Sequence, residues 1–330
     1  MLKLLVAFLI SFFVTLILGR FLVPALRRLK AGQSIKEDGP TWHMSKQGTP
    51  TMGGIMFIMG TAAALLVLCW RGLLSNPAPL FVLLFALVFG AIGFVDDYAK
   101  IKKHENTGLT APQKFLLQLA AAIAFTVLLR HYGHLTPNLY IPFAELSIPL
   151  PWPVYMVFAA FVMVGTVNAV NITDGVDGLA ASVTLPVMAF YAAAAALWGP
   201  AFQSFGILAA AAAGGLMAFL FYNFHPAKVF MGDTGSLFLG GMVCGLAFAY
   251  DMPLILILVG IIYIAETLSD ILQVAYFKAT HGKRIFRMAP LHHHFEMGGW
   301  SEVKVVAVFS FITLAACLVA FLGVAGRYSM

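Results

Sequence analysis

Ten apolar runs, each close to the length needed to cross a bilayer, leave this chain few folds to choose from. With soft edges they cover residues 2–24, 52–70, 78–95, 115–130, 153–168, 179–197, 204–221, 235–250, 253–276 and 305–325. A helix needs ~20 mostly apolar residues to span the hydrocarbon core, where every backbone N–H and C=O must be satisfied within the segment. Composition agrees: 61% of the 330 residues are hydrophobic and 10% are charged, against about 45–50% and ~25% in soluble domains. The expectation is an all-α integral membrane protein, a bundle of about ten transmembrane helices forming one polytopic domain over residues 1–330. Lys3 precedes the first run, which continues to Arg20 and beyond with no small-x-small cleavage site, so a retained span is expected rather than a signal peptide.

In such a chain the net charge of +6 is not a nucleic-acid footprint, because basic residues first report topology. Fifteen of the twenty Lys and Arg fall in loops on one side, at 27–51, 96–114, 222–234 and 277–304. They are Arg27, Arg28, Lys30, Lys36 and Lys46; Lys100, Lys102, Lys103 and Lys114; Lys228; and Lys278, Lys283, Arg284, Arg287 and Lys304. The other side holds Lys3, Arg71, Arg130 and Arg327, with Arg20 inside the first run. The positive-inside rule makes the crowded side cytoplasmic and puts both termini outside. The longest outward loop, 131–152, is rich in proline and aromatics and is expected to form a small hairpin or cap. Cys69, Cys244 and Cys317 lie far apart inside apolar runs without metal-ligand spacing, as buried small hydrophobes do.

Polar residues are sparse here, so their clusters carry information. Asn223 to Ser236, reading NFHPAKVFMGDTGS, is the densest. Asp, Thr and Ser just ahead of a span are ordinary N-caps, yet the same geometry offers N–H groups to a phosphate. Asp233 there could be a hard oxygen ligand for Mg²⁺, which favours carboxylates plus substrate phosphates. Asp96 and Asp97 close the third run side by side; helix capping explains one acid but not two, and a cation would relieve their repulsion. Lys100 and Lys114 follow, suited to phosphate or to plain positive-inside duty. The loop NAVNITDGVDG at 168–178 sets Asp174 and Asp177 three apart, after Asn171, with no Lys or Arg of its own. Either a turn of self-bonded side chains or a partner from elsewhere is implied. PLHHHFE at 290–296 holds His292, His293 and His294 in a row. Consecutive side chains cannot converge on one zinc, so a phosphate-binding or substrate-orienting role is favoured. Finally Glu266, Thr267, Ser269, Asp270 and Gln273 make the ninth run polar, either lining the bundle or marking a helix break.

Two function classes fit a polytopic protein with such clusters. A transporter places its polar groups at the bilayer midplane, with inverted repeats and broken helices. An enzyme joining a water-soluble phosphorylated substrate to a lipid places them in loops on one face. The weight here lies on one face and no repeat is visible, which favours the enzyme.

Taken together, SKQGTPTMGG at 45–54, DDYAK at 96–100, NAVNITDGVDGLA at 168–180, NFHPAKVFMGDTGS and PLHHHFE resemble the polyprenyl-phosphate N-acetylhexosamine-1-phosphate transferases over essentially the whole chain. TPTMGG and PLHHHFE resemble the phospho-N-acetylmuramoyl-pentapeptide branch rather than the N-acetylglucosamine-phosphate branch, which is the alternative. The resemblance implies transfer from UDP-N-acetylmuramoyl-pentapeptide to undecaprenyl phosphate, giving lipid I and UMP, with Mg²⁺ required, in the bacterial cytoplasmic membrane and with the active site on its cytoplasmic face. It implies Asp233 as the Mg²⁺ ligand, with Asp96 and Asp97 flanking the reacting phosphates and Asp96 the usual candidate base. Lys46, Thr51, Asn171, Asp174, Asp177, Asn223, Phe230 and Gly232 would line the nucleoside side, with Phe230 stacked on uracil. Lys100, Lys114 and Gln273 would also touch substrate, and His292, His293 and His294 would hold phosphate or sugar. A bent ninth helix opening a groove for the lipid tail, and a homodimer, belong to the same resemblance. A phosphate monoester has its second pKa near ~6, so the lipid phosphate is mostly a dianion at neutral pH and a general base has little to add.

Overall fold

The computed structural model describes residues 1–29, 46, 48–74, 76–103 and 108–328. Lys30, Lys36, Ser45 and Gln47, which enter the charge count and the first motif above, lie outside these residues. All ten apolar runs are helical. They form α1 (Leu2–Arg28), α2 (Ile55–Cys69), α3 (Ala78–Lys103), α4 (Ala111–His131), α5 (Trp152–Thr173), α6 (Leu179–Leu197), α7 (Gln203–Asn223), α8 (Gly232–Ala249), the pair α9 (Leu256–Val259) and α10 (Ile261–Ala279), and α12 (Glu302–Val324), with a short α11 (Leu291–Glu296) between the last two. Eight of these are long and apolar enough to cross a membrane, and the bent pair makes a ninth. The second run gives the short member: α2 has 15 residues, a rise of ~22 Å against a core of about 30 Å.

The bundle is built around α7 and α8, whose apolar stretches are almost wholly buried, while α1, α4 and α12 show most of theirs to the outside. Small residues explain the centre, since lipid-exposed helices gain by backbone approach rather than by the hydrophobic effect. A Cβ on Gly240 would lie 2.6 Å from Val167 Cα of α5, and one on Gly241 would lie 2.8 Å from Ala86 Cα of α3. The two glycines let α8 pack closely between α5 and α3.

The ninth run breaks at Gly260, and α9 and α10 diverge by 82°. The polar stripe therefore belongs to the second arm, and both readings of it hold. Glu266 and Ser269 are buried on its inner face, while Leu268, Ile271, Leu272 and Val274 are exposed on the other.

The outward loop does form a hairpin. β1 (Asn138–Ile141) pairs antiparallel with β2 (Leu146–Pro149), Asn138 opposite Pro149. Asp251 anchors this end. Its carboxylate accepts the Thr136 N–H at 3.1 Å and the Thr136 hydroxyl at 2.6 Å. Arg327 donates to the Asp251 carbonyl at 2.7 Å and lies 3.8 Å over the Tyr140 ring. Burial pushes the Asp251 carboxyl above its ordinary range, against the pull of Thr136 and Arg327. Lys3 reaches Gln203 at this same end, so Lys3 and Arg327 lie at the end opposite the motif loops.

Candidate active site

The helix α3 runs two turns past its apolar stretch, so Asp96 and Asp97 sit on a helix and do not end one. The expectation that they close the span at residue 95 is corrected by the pairing of Asp96 with Lys100 one turn on, Oδ2 to Nζ at 2.6 Å. Asp96 Oδ1 accepts the Leu109 N–H at 2.8 Å. Lys114 stands in the first turn of α4, behind a capping box of Thr110 and Gln113. It meets Asp233 Oδ2 at 2.6 Å, and Lys100 meets the same oxygen at 3.2 Å. Asn171, near the end of α5, donates to Asp233 Oδ1 at 2.9 Å and to Ser236 Oγ at 2.7 Å. Asp233 is thus oriented by donors from three helices.

Asp97 has another task. Its carboxylate accepts the N–H groups of Asp233 and Thr234 at 3.1 and 2.9 Å and the Thr234 hydroxyl at 2.7 Å. These are the first N–H groups of α8, which have no partner within the helix. Asp97 therefore caps α8 from a neighbouring helix, where an anion also meets the positive dipole end. Thr234 and Ser236 are not caps of their own helix: the Ser236 hydroxyl turns back to the Gly232 carbonyl at 3.1 Å.

Two backbone segments bring the motifs together. Phe230 N–H donates to Pro50 O at 2.8 Å, Gly53 N–H to Phe230 O at 2.8 Å, and Gly54 N–H to Met231 O at 3.0 Å. Gly232 follows with φ +69°, and a Cβ on it would lie 2.6 Å from Thr51 Oγ1 and 3.0 Å from the Met52 nitrogen. Glycine adopts this conformation without strain, and in this gap a Cβ would meet both Asp97 Oδ2 and Thr51 Oγ1. Asp174, half-buried in the turn after α5, faces the same centre. Burial first, then the charges of Asp233, Asp97 and Asp177, hold its carboxyl well above the usual range.

A second cluster lies beside the first. Lys46 Nζ contacts Asp177 Oδ1 at 2.8 Å and Glu302 Oε2 at 2.6 Å. Asp177 Oδ2 meets His225 Nδ1 at 3.1 Å and accepts the Ala227 N–H at 2.9 Å. The base that the Asp174–Asp177 turn lacked in sequence is Lys46. Asn223 is buried nearby, its Nδ2 on the Val229 carbonyl at 3.0 Å, with its Oδ1 free of partners among the described residues. Phe230 is half-buried in the same loop.

The histidines separate as consecutive side chains must. His292 is buried with Nδ1 at 2.9 Å from Glu266 Oε2, and its ring lies against Gly175. His293 turns to Glu296 at 2.8 Å, and His294 Nδ1 accepts the Arg287 N–H at 3.1 Å. Gln273 holds the loop that follows α10: its Oε1 accepts the N–H groups of Ile285 and Phe286 at 3.0 Å each, and its Nε2 donates to the Phe286 carbonyl at 3.1 Å. Sequence reasoning overlooked Glu302, which reads as an ordinary first-turn acid behind the Ser301 cap. The available signal was Lys46, a lone cation facing a turn with two acids.

The oxygen ligand atoms of Asp96, Asp97 and Asp233 lie within 4.8 Å of one another, as do atoms from Asp177, His225 and Glu302. Both sets already hold lysine ammonium groups, but the first offers oxygen alone, the donor type a hard cation selects, while the second mixes in nitrogen.

Comparison with known proteins gives these motifs a common setting. Residues 79–251 match the model of glycosyl transferase family 4, and residues 46–58 match phospho-N-acetylmuramoyl-pentapeptide-transferase signature 1. A phospho-N-acetylmuramoyl-pentapeptide-transferase of Clostridium acetobutylicum is 48% identical over 316 residues, 95% of this chain and 96% of the relative. One of Staphylococcus carnosus is 48% identical over 314 residues, 94% and 96% of the two chains. One of Caldanaerobacter subterraneus is 47% identical over 321 residues, 97% and 98%. A likeness that runs nearly end to end, through the signature that carries Lys46 and Thr51 and the segment that carries Asp96, Asp97 and Asp233, makes this chain a member of the phospho-N-acetylmuramoyl-pentapeptide-transferase family.

Proposed function

We propose that this protein transfers phospho-N-acetylmuramoyl-pentapeptide from its UDP conjugate to undecaprenyl phosphate and releases UMP, with the acids and lysines of α3, α4 and α8 as the reaction centre. The observation that carries this reading is the meeting of Asp96, Asp97 and Asp233 with Lys100 and Lys114 at one end of the bundle. A lipid phosphate oxygen attacks the β-phosphorus of the nucleotide sugar, one P–O bond forms, and the bond to UMP breaks.

The donor set fits Mg²⁺. Asp233 is the residue to hold it, because its oxygens face side-chain donors that can turn away, whereas the Asp97 oxygens are occupied by the N-terminus of α8, and Mg²⁺ takes one or two carboxylates beside substrate phosphates. When bound, it supplies charge neutralisation to the diphosphate. The chain's own part is positioning. Lys100 and Lys114, now on Asp233 and Asp96, are placed to turn to the phosphates. Asn171 fixes the Asp233 carboxylate, and Asp97 fixes the backbone that carries it. Asp96 has an oxygen on Lys100 and an oxygen on the Leu109 N–H, which supports a lysine-orienting role over proton removal. Lys46, Asp177, Asn223 and Phe230 form the nucleoside side, with Thr51 and Gly232 at its junction with the acids. Asp174 lies between the two, and the histidines and Gln273 border the sugar.

The same reading places the enzyme in the bacterial cytoplasmic membrane as one polytopic domain, its site on the cytoplasmic face, paired as a homodimer. The test is UMP release by purified protein with undecaprenyl phosphate, comparing UDP-N-acetylmuramoyl-pentapeptide with UDP-N-acetylglucosamine. Release with the first alone, abolished by a chelator and restored by Mg²⁺, is expected. Release with the second alone would move the protein to the N-acetylglucosamine-phosphate branch.

A further inference from the structure

One buried carboxylate takes no part in the reaction centre. Glu266 stands on the inner face of α10 with no exposed surface, and an acid at such a position is costly unless it is paired. Its partner is His292. The His292 backbone N–H donates to Glu266 Oε1 at 3.2 Å, and Nδ1 lies 2.9 Å from Oε2. A carboxylate that faces an N–H on each oxygen is an acceptor, so Nδ1 carries a hydrogen, and in the neutral imidazole Nε2 is then the acceptor.

That second nitrogen is the informative one. His292 is 1% exposed, and its Nε2 has no hydrogen-bond partner among the described residues. A buried polar atom without a partner is disfavoured by roughly 1–3 kcal/mol, and a donor arriving with a ligand would relieve it. Nε2 is directed at Gly175, where a Cβ would collide with the ring. Gly175 follows Asp174 in the turn that ends at Asp177, which ties the acid centre to the Lys46 cluster.

We infer that Glu266 is a positioning residue for the transfer: it fixes the tautomer and rotation of His292 so that Nε2 presents a lone pair to a hydroxyl or N–H donor of the nucleotide sugar. An acceptor nitrogen does not take a phosphate, whose oxygens are acceptors themselves, so His292 reads the sugar or peptide part. The role reaches across the bend, because Glu266 belongs to the second arm of the broken span. This inference rests on the proposed transfer reaction for its substrate.

The experiment is steady-state UMP release by Glu266→Gln, His292→Ala and the double variant in detergent, varying each substrate in turn. Glu266→Gln is expected to lower kcat/KM for the nucleotide sugar about 10–100-fold, the range for loss of a group that orients a functional histidine. KM for undecaprenyl phosphate should stay within about twofold, and the double variant should match His292→Ala alone, since coupled residues are not additive. Unchanged kcat/KM, equal loss toward both substrates, or multiplied losses in the double variant would each overturn the inference. If Glu266→Gln does not fold, Glu266→Asp, which keeps the charge but withdraws it, must show the same split between substrates. If the wild type releases no UMP from the muramoyl substrate, the reaction assignment fails instead. The inference is then decided by nitrogen NMR of ¹⁵N-histidine protein, where signals lost in His292→Ala that show Nδ1 protonated and Nε2 unprotonated support it, and a doubly protonated ring or the opposite tautomer refutes it.

Discussion

Asp96 and Asp97 are adjacent, yet one grips a lysine and the other a helix end, because residues one apart on a helix point about 100° away from each other. Asp233 shares Lys100 and Lys114 with Asp96 and adds Asn171, so its carboxylate is held by side-chain donors that substrate phosphates can compete for. Above about pH 8 the lipid phosphate is a dianion without help from any base. There Asp233→Asn should lower kcat by about 10²–10³-fold, the cost of one electrostatic group in such a centre, and Asp96→Asn by clearly less. Equal losses of UMP release at high pH would restore Asp96 as a base. Gly232 gives a prediction of another kind. With φ +69° and Thr51 Oγ1 2.6 Å from where a Cβ would stand, Gly232→Ala meets both strain and collision. Left-handed backbone alone disfavours a non-glycine residue by ~1–3 kcal/mol, so thermal unfolding in detergent should shift down by several degrees. An unshifted melting curve would mean the turn can open.

Elements meet at this site through their ends. Lys46 joins the segment ahead of α2 to the turn after α5 and to the start of α12, and it is 13% exposed beside an Asp177 that is 2% exposed. Lys46→Met would leave Asp177 and Glu302 facing each other beside the His225 ring. Breaking such a pair costs on the order of 3 kcal/mol, which denaturant titration should register together with at least about a tenfold rise in KM for the nucleotide sugar. Adding Glu302→Gln to Lys46→Met removes one of the opposed charges and should return part of the stability; a further loss would argue against the electrostatic account. How far such contacts can be read beforehand depends on their range. The ten helices were legible because apolarity is a local property. The extension of α3 to Lys103 was not, since charge ends a hydropathy run even where Asp96 and Lys100 at i,i+4 continue the helix. Asp177 and Glu302 are 125 residues apart, and nothing local marks Glu302 as more than a first-turn acid. Gln273 drew attention as a polar residue in an apolar run, but only the fold shows its amide spent on the backbone of 285 and 286.

At the scale of the molecule, the described motif residues meet at one end, and the hairpin, Asp251, Lys3 and Arg327 gather at the other. Orientation in the membrane is then a single binary choice, and two independent arguments make the same one. Basic residues crowd the motif end, which the positive-inside rule assigns to the cytoplasm. A nucleotide diphosphate sugar is too charged to cross a bilayer unaided, so the proposed reaction is expected to face the compartment that holds the nucleotide pool. Single cysteines decide the matter, because Cys69, Cys244 and Cys317 are all buried and leave little background. Arg71 lies beyond the far end of α2, and Lys283 follows α10 on the motif side; both are exposed. A membrane-impermeant maleimide should label Arg71→Cys in intact spheroplasts and Lys283→Cys only in inverted vesicles. The opposite pattern would reverse the molecule in its membrane and remove the site from its substrate.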